Sequence, residues 1–387
     1  MYSLLFVDHG VSSAHLSILL IIWSLTSFLC EVPSGAWADT VDRRLLLVLS
    51  AAIYAVGFST WMLWQTFAGF ALGFVCWGLS SALMSGTFES LVYDELVTRG
   101  ARERYPALIG WAHSSAMIAN LTATAAAAWL FAVGGYPLVG WVSVAIAVGQ
   151  GALAATLPVS RAARRPAHEE PALLETERAA SRYVAMLRSG LAESRYHPDV
   201  RRVLLLAAAM VGLTAYDEYF PLVARDHGVA TSVVPLLLAV TVLGQVVGTA
   251  AVGRTARFGG PVVGGILVVG AALVSAGALA APYLGFVAIG IGYGLLNNAM
   301  LVGETRLQDT ITGPARATVT SVLGLLEEMI ALTVYAAFAL GAHALSFPTL
   351  VALLGIPAAL VGYAVMRWLP GRRLEAVEDS ADEGSQS

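Results

Sequence analysis

Carboxylates stand inside or at the edges of strongly apolar runs of this chain: Glu31, Glu89, Asp94, Asp217, Glu218, Glu304, Glu327 and Glu328. A charge at the centre of a bilayer costs about 2.5 to 3.5 kcal/mol even on lenient insertion scales, so such acids face a partner or a watery path. Two chemistries suit them. A carboxylate that takes up and releases a proton carries it through apolar surroundings; one that stays charged pairs with an arginine and locks helix ends. Neighbours on a helix point about 100° apart. Only one of Asp217 and Glu218, and one of Glu327 and Glu328, can therefore aim straight into a shared cavity, with Asp217 and Glu327 favoured. Glu89 and Asp94 are five apart, as are Glu304 and Asp309. At these ends, proton carriage and a lock with Arg102, Arg104, Arg306 or Arg316 are both open.

Uncharged polar residues in the same runs are Asn120, Gln150, Gln245, Asn297 and Asn298. Interhelical hydrogen bonds contribute about 0.6 kcal/mol on average, which makes most of these packing residues. Asn297 and Asn298 follow Gly290, Gly292 and Gly294, where missing side chains permit bending or close helix approach, and they are candidates for a substrate cavity. His113 is a third: free imidazole titrates near neutral pH, although a lone His on an apolar face otherwise serves packing. His9 and His227 precede Gly10 and Gly228 and read as turn residues. No Cys/His cluster, phosphate-binding Gly loop with Lys, or nucleophile elbow occurs. The sequence therefore offers no catalytic residue, metal site or cofactor site, and it does not read as an enzyme. Cys30 and Cys76 fall inside apolar runs, where a thiol packs as a small side chain, and no disulfide is expected.

The elements that must hold these residues are membrane helices. With 57% hydrophobic and 12% charged residues and a mean hydropathy of +0.73, the chain is too apolar to cover itself in water. A helix needs about 20 apolar residues to cross about 30 Å of hydrocarbon. Runs of that length span His15 to Trp37, Leu45 to Trp64, Ala68 to Val92, Tyr105 to Val133, Leu138 to Leu157 and Val203 to Val223. Five more span Ser232 to Gly253, Val262 to Ala281, Tyr283 to Gly303, Ala317 to Gly341 and Phe347 to Trp368. They lack the alternation of a membrane barrel, so eleven helices are expected. Tryptophans such as Trp23, Trp64, Trp77 and Trp141 read as interfacial anchors near span ends.

All 22 basic residues are Arg. With the loop at Asp39 placed inside, only Arg225 falls outside, as expected if inner loops retain positive charge. A net charge of −4 argues against nucleic acid as a partner.

The chain also repeats itself. Asp8-His-Gly-Val11 recurs as Asp226-His-Gly-Val229, and the same displacement carries Gly35 onto Gly253. A duplication is expected, with bundles at 1–157 and 203–368. Between them, 158–202 is a polar, Arg-rich linker, broken by Pro158, Pro166, Pro171 and Pro198. It holds either an amphipathic surface helix over Leu173 to Arg195 or a disordered tether. The acidic tail, 369–387, is expected to be disordered. Met1 to Val7 spans only about 10 Å as a helix and cannot cross alone. The repeat puts the counterpart of Val203 to Val223 mostly ahead of Met1, so a start assigned too late, or a shortened protein, is expected.

Glu31-Val-Pro-Ser-Gly35-Ala-Trp-Ala-Asp39-Thr-Val-Asp-Arg43-Arg44 resembles the loop between the second and third helices of major facilitator superfamily transporters. In that family the loop acid and its arginines latch the two halves across the cytoplasmic side. The resemblance gives Gly35, Asp39, Arg43 and Arg44 that role, with Thr40 in place of the usual basic residue and Asp42 in place of the usual Gly. Asp tolerates the left-handed turn such a Gly adopts. The plainer role of the arginines is to keep the loop inside. Ser85 to Leu96 also resembles drug-exporting members, and Leu307 to Glu328 is a further match, while Tyr105 to Val133 lacks the Gly-Pro-rich signature of drug/proton antiporters.

The resemblance implies an all-α polytopic membrane protein of two pseudo-symmetric six-helix bundles, its first helix largely missing. It further implies alternating access, with a small-molecule substrate exported against protons that pass through one or more of Glu31, Glu89, Asp217 and Glu327. Helices one, four, seven and ten line the cavity in that family, which would bring Asn297 or Asn298 to the substrate. The partners implied are the substrate, protons and the lipid bilayer, with no cofactor, in a monomer of the cell membrane with linker and C-terminus cytoplasmic. Uptake or facilitated export of a metabolite is an alternative, and a non-transporting membrane sensor or remnant is another.

Overall fold

In hydrocarbon every backbone N–H and C=O must be satisfied within its own segment, so the apolar runs have only the helix available to them. The computed structural model describes residues 1–158, 198–310 and 316–369, with Ser181, Val184, Ala185 and Arg188 between them. The first group of helices is α1 (Tyr2–Asp8), α2 (Ser13–Thr40), α3 (Arg43–Leu63), α4 (Phe67–Met84), α5 (Thr87–Thr98) and α6 (Tyr105–Ala155). The second is α7 (Pro198–Gly212), α8 (Phe220–Asp226), α9 (Val234–Thr255), α10 (Gly260–Leu279), α11 (Pro282–Thr310), α12 (Arg316–Gly341) and α13 (Phe347–Trp368). Ten stretches of helix among the described residues are long and apolar enough to cross a bilayer, and one of them, running through α6, carries two crossings. The expected surface helix at Leu173 to Arg195 and the acidic tail lie outside the described residues, apart from the isolated positions named above.

Helix ends fall where the sequence supplies caps. Ser12, Thr66 and Ser346 accept hydrogen bonds from the backbone N–H groups of His15, Gly69 and Thr349. Each satisfies a donor the first turn leaves open. Asp42 does the same for Arg44 N, at φ −57°. That corrects the expectation of a left-handed turn: its carboxylate is used as a cap.

Two expected spans are broken. Ala68 to Val92 divides at Gly86, whose φ of +68° favours glycine, leaving Glu89 and Asp94 on the separate α5. Val203 to Val223 is interrupted by a 3-10 segment, Leu213–Tyr219, between α7 and α8. A 3-10 stretch within a helix often marks a hinge, and this one carries Asp217 and Glu218. In α6, Gly135 at φ 60°, ψ −157° folds the chain back, and the second arm returns along α3, with Gly140 against Met62 and Gly151 against Ala51.

Helices α2, α3, α4 and α6 pack together, as do α7 with α9 to α13, while α2–α12 and α6–α9 join the two groups. The ends bearing Arg43, Arg44, Arg102, Arg104, Arg254 and Arg257 share one face of the bundle. Asp8, Gly135 and Arg225 lie at the opposite face. Both copies of the repeat make the same turn: Gly10 and Gly228 have φ of +84° and +76°. The rings of His9 and His227 bond the backbone carbonyls of Leu5 and Ala278.

Short α1 is held by an aromatic core. Phe6, fully buried, stacks on Phe70 with ring centroids 4.0 Å apart, and Trp61 donates its indole N–H to Phe70 O at 3.1 Å. Trp77 stacks on Phe74, and Trp23 lies 5.3 Å from Trp77. These two tryptophans, each about 15 Å along its helix from the opposite face, belong to this core, which corrects their reading as interfacial anchors.

Candidate functional site

The seam between the two groups is bridged by hydroxyl groups and carboxylates. Tyr2 donates its phenol O–H to Glu218, and Ser24 on α2 donates to Glu328 on α12. The hydroxyls of Ser17 and Tyr219 are 2.7 Å apart. Toward the opposite face Asp8, at the end of α1, pairs with Arg225 of α8 at 2.5 Å and accepts from Tyr136 at 2.5 Å. The 3-10 segment turns Asp217 and Glu218 in different directions. Glu218 meets the first group, while Asp217 accepts from Tyr293 of α11 at 2.7 Å. Of the pair it is Glu218, and not the favoured Asp217, that makes the bond across the seam.

A second set of acids lies toward the arginine-rich face. Glu304 and Glu328 are within electrostatic reach of Glu327, and Glu328 of Glu31. Among the described residues none of these four has an arginine ion-pair partner. Like charges so gathered in apolar surroundings repel unless protons or cations compensate them.

The other candidates fall elsewhere. Asp94 pairs with Arg43, whose guanidinium also donates to Ser90 O at 3.1 Å, so this lock closes α3 on α5 within the first group. None of Arg102, Arg104 and Arg306 forms that pair, and the side chain of Arg316 lies outside the described residues. Arg44 reaches Leu157 O at 3.4 Å. The backbone of Gly35 and Asp39 ends α2, and their side-chain environment lies outside the described residues. Glu89 sits half-buried in the first turn of α5.

Asn297 donates to Thr249 Oγ1 at 2.8 Å and Asn298 to Gly248 O at 2.8 Å, so both amides engage α9. His113 is exposed on α6, its ring bonded to Ile109 O at 3.0 Å. Cys30 and Cys76 are both free thiols. Among the described residues no group of His, Cys, Asp and Glu is arranged to hold a metal ion.

Sequence reasoning missed the hydroxyl groups of Tyr2, Ser17, Ser24 and Tyr136. Their signal was thin, because Ser and Tyr are ordinary in membrane helices. Arg225, the one arginine placed outside, was the visible clue, since a lone charge there needs a partner. Buried Arg306 was noted only as a gate residue; it donates to Ala256 O at 2.7 Å and Phe258 O at 2.9 Å, tying the α9–α10 loop to α11.

The pattern that defines the Major Facilitator Superfamily matches residues 1–325. The chain belongs to that superfamily. Solved superfamily-like folds superpose on nearly all of it. The nucleoside transporter NupG gives a TM-score of 0.68 at 14% identity, covering 94% of this chain and 92% of its own. A D-xylose-proton symporter gives 0.67 at 14%, covering 95% and 91%. A bacterial homologue of the iron transporter ferroportin in an inward-facing state gives 0.66 at 15%, covering 95% and 93%. No curated protein matches the chain in sequence. As a superfamily member it is a multi-pass membrane transporter of small molecules, and neither family nor fold is that of an enzyme.

Proposed function

We propose that the protein is a secondary active transporter that exports a small molecule in exchange for protons by alternating access. One observation carries the reading: Glu218 and Glu328 of the second bundle each accept a hydrogen bond from a hydroxyl of the first. Such a bond exists in one relation of the bundles only. When the bundles part, each carboxylate loses its hydroxyl donor; when they close, the bond re-forms. Proton binding and bundle movement are then two sides of one equilibrium. Asp217, Glu31, Glu304 and Glu327 extend the path, and Glu89 lies at its edge.

The moving bodies are 1–157 and 203–368, with 158–202 as the link. The arginine-rich face is cytoplasmic in the cell membrane, by the retention of positive charge. Bridges at the opposite face, and none between Arg43 and the second bundle among the described residues, support a state open to the cytoplasm. In the reverse state Gly35, Asp39, Arg43 and Arg44 form the latch, Arg43 leaving Asp94.

Symport-driven uptake is the second reading, favoured by the likeness to a D-xylose-proton symporter. A thermal-shift screen of nucleosides, sugars and organic cations on purified protein would supply a substrate. In proteoliposomes its uphill movement is expected to stop on adding a protonophore. Glu218→Gln is expected to keep downhill exchange and lose accumulation. Uphill transport that persists without a proton gradient sinks the coupling, and the sign of the accompanying proton flux separates export from uptake. Each 100 mV supplies about 2.3 kcal/mol per proton.

A further inference from the structure

In the second bundle, α9, α10 and α11 enclose a groove of about 350 Å³. Its floor is backbone, because α9 and α11 touch through glycines: a Cβ on Gly244 would stand 1.9 Å from Gly290 O, and one on Gly248 2.1 Å from Gly294 O. Its mouth is formed by Leu243, Val247, Val287 and Ile291, all exposed where the bilayer would lie.

One amide breaks this apolar lining. Asn298 is 3% exposed and gives its N–H to Gly248 O, while its Oδ1 has no partner among the described residues. A buried acceptor left unpaired is unfavourable, so the site calls for a donor. Water is a poor one here, since a buried water needs two to four polar partners and this lining offers few. The donor must arrive on an apolar body.

We propose that this groove binds a lipophilic alcohol drawn sideways from the bilayer, its hydroxyl on Asn298 and its chain lying along α11 toward Val287. Val287 lies eleven residues before Asn298, which sets the apolar body at about 16 Å. Gly248 lies seven residues from the end of α9, so the hydroxyl sits about 10 Å below the arginine-rich face. None of the acids of the seam is among the residues that line the groove, so the site is distinct from them.

The test uses full-length protein in nanodiscs and two photoactivatable probes: dodecanol carrying a mid-chain diazirine, and the same chain ending in a methyl group. The alcohol is expected to label α9 and α11 peptides about tenfold more than the alkane, the ratio one net hydrogen bond gives. Excess unlabelled dodecanol should compete. Ile291→Trp, which fills the mouth, should abolish the excess. Leu284→Trp, equally lipid-facing but outside the groove, should leave it intact. Equal labelling by both probes, no labelling at α9 and α11, or an excess that survives Ile291→Trp overturns the proposal.

Discussion

Asp8 and Arg225 make the residue-scale case most simply, because they are the described ion pair that joins the two bundles. At 33% and 41% side-chain exposure the pair is partly screened, and such pairs contribute about 0.2 to 1 kcal/mol. Asp8→Asn is therefore expected to shift the balance of the two access states by a few-fold, read as increased labelling of a cysteine introduced near Gly135. The exchange Asp8→Arg with Arg225→Asp should restore the original balance, and a failure to restore it would show that the contact itself is immaterial. Arg306 is a different matter, being 2% exposed with one nitrogen on two loop carbonyls. Arg306→Ala removes both bonds to the loop and the packing of a buried side chain, and should lower stability by about 1 to 3 kcal/mol, seen as a fall in melting temperature in detergent. Little of this was legible in the sequence. Acids stood out because lipid makes charge conspicuous, whereas the hydroxyls of Tyr2 and Ser24 gain meaning only once a distant helix brings them a carboxylate.

Helices were far more legible than their interruptions. The apolar runs located the crossings because hydrocarbon leaves the backbone no other hydrogen-bonding choice. The break at Gly86 and the 3-10 segment at Leu213–Tyr219 escaped notice, since hydropathy averages over a window and neither site lowers it enough. The turn at Gly135 was foreseen as a gap between spans. At φ 60°, ψ −157° it occupies a region open essentially to glycine. Gly135→Ala should destabilise by on the order of 1 to 3 kcal/mol and reduce the yield of folded protein, while Gly149→Ala, with open space around it, should not. Equal yields from the two variants would remove the backbone argument. The lock Arg43–Asp94 belongs to the same scale: spacing placed an acid at a helix end, but which arginine it meets depends on how α5 leaves the break after α4.

For the molecule as a whole, the duplicated Asp-His-Gly-Val turn shows two copies put to different uses. Asp8 reaches across to Arg225 and accepts from Tyr136 in its own bundle, while its equivalent Asp226 accepts the backbone N–H of Phe347 at 3.0 Å within its own bundle. One copy thus ties the halves and the other braces the start of α13. Repeats of this kind were visible in the sequence; the division of labour was not, because it depends on Arg225, which has no arginine counterpart in the first copy.

Closure by Asp8 and Arg225 lies at one face of the membrane alone, and dissolved ions weaken attraction between partly exposed charges. The protein should then respond unequally to the saltiness of the two fluids it separates. In vesicles of known sidedness, raising sodium chloride on the side of Asp8 should loosen that closure and change the rate of exchange. The same addition on the arginine-rich side should leave it alone, which would make an import-neutral change in the surroundings a brake or a release for the transport cycle.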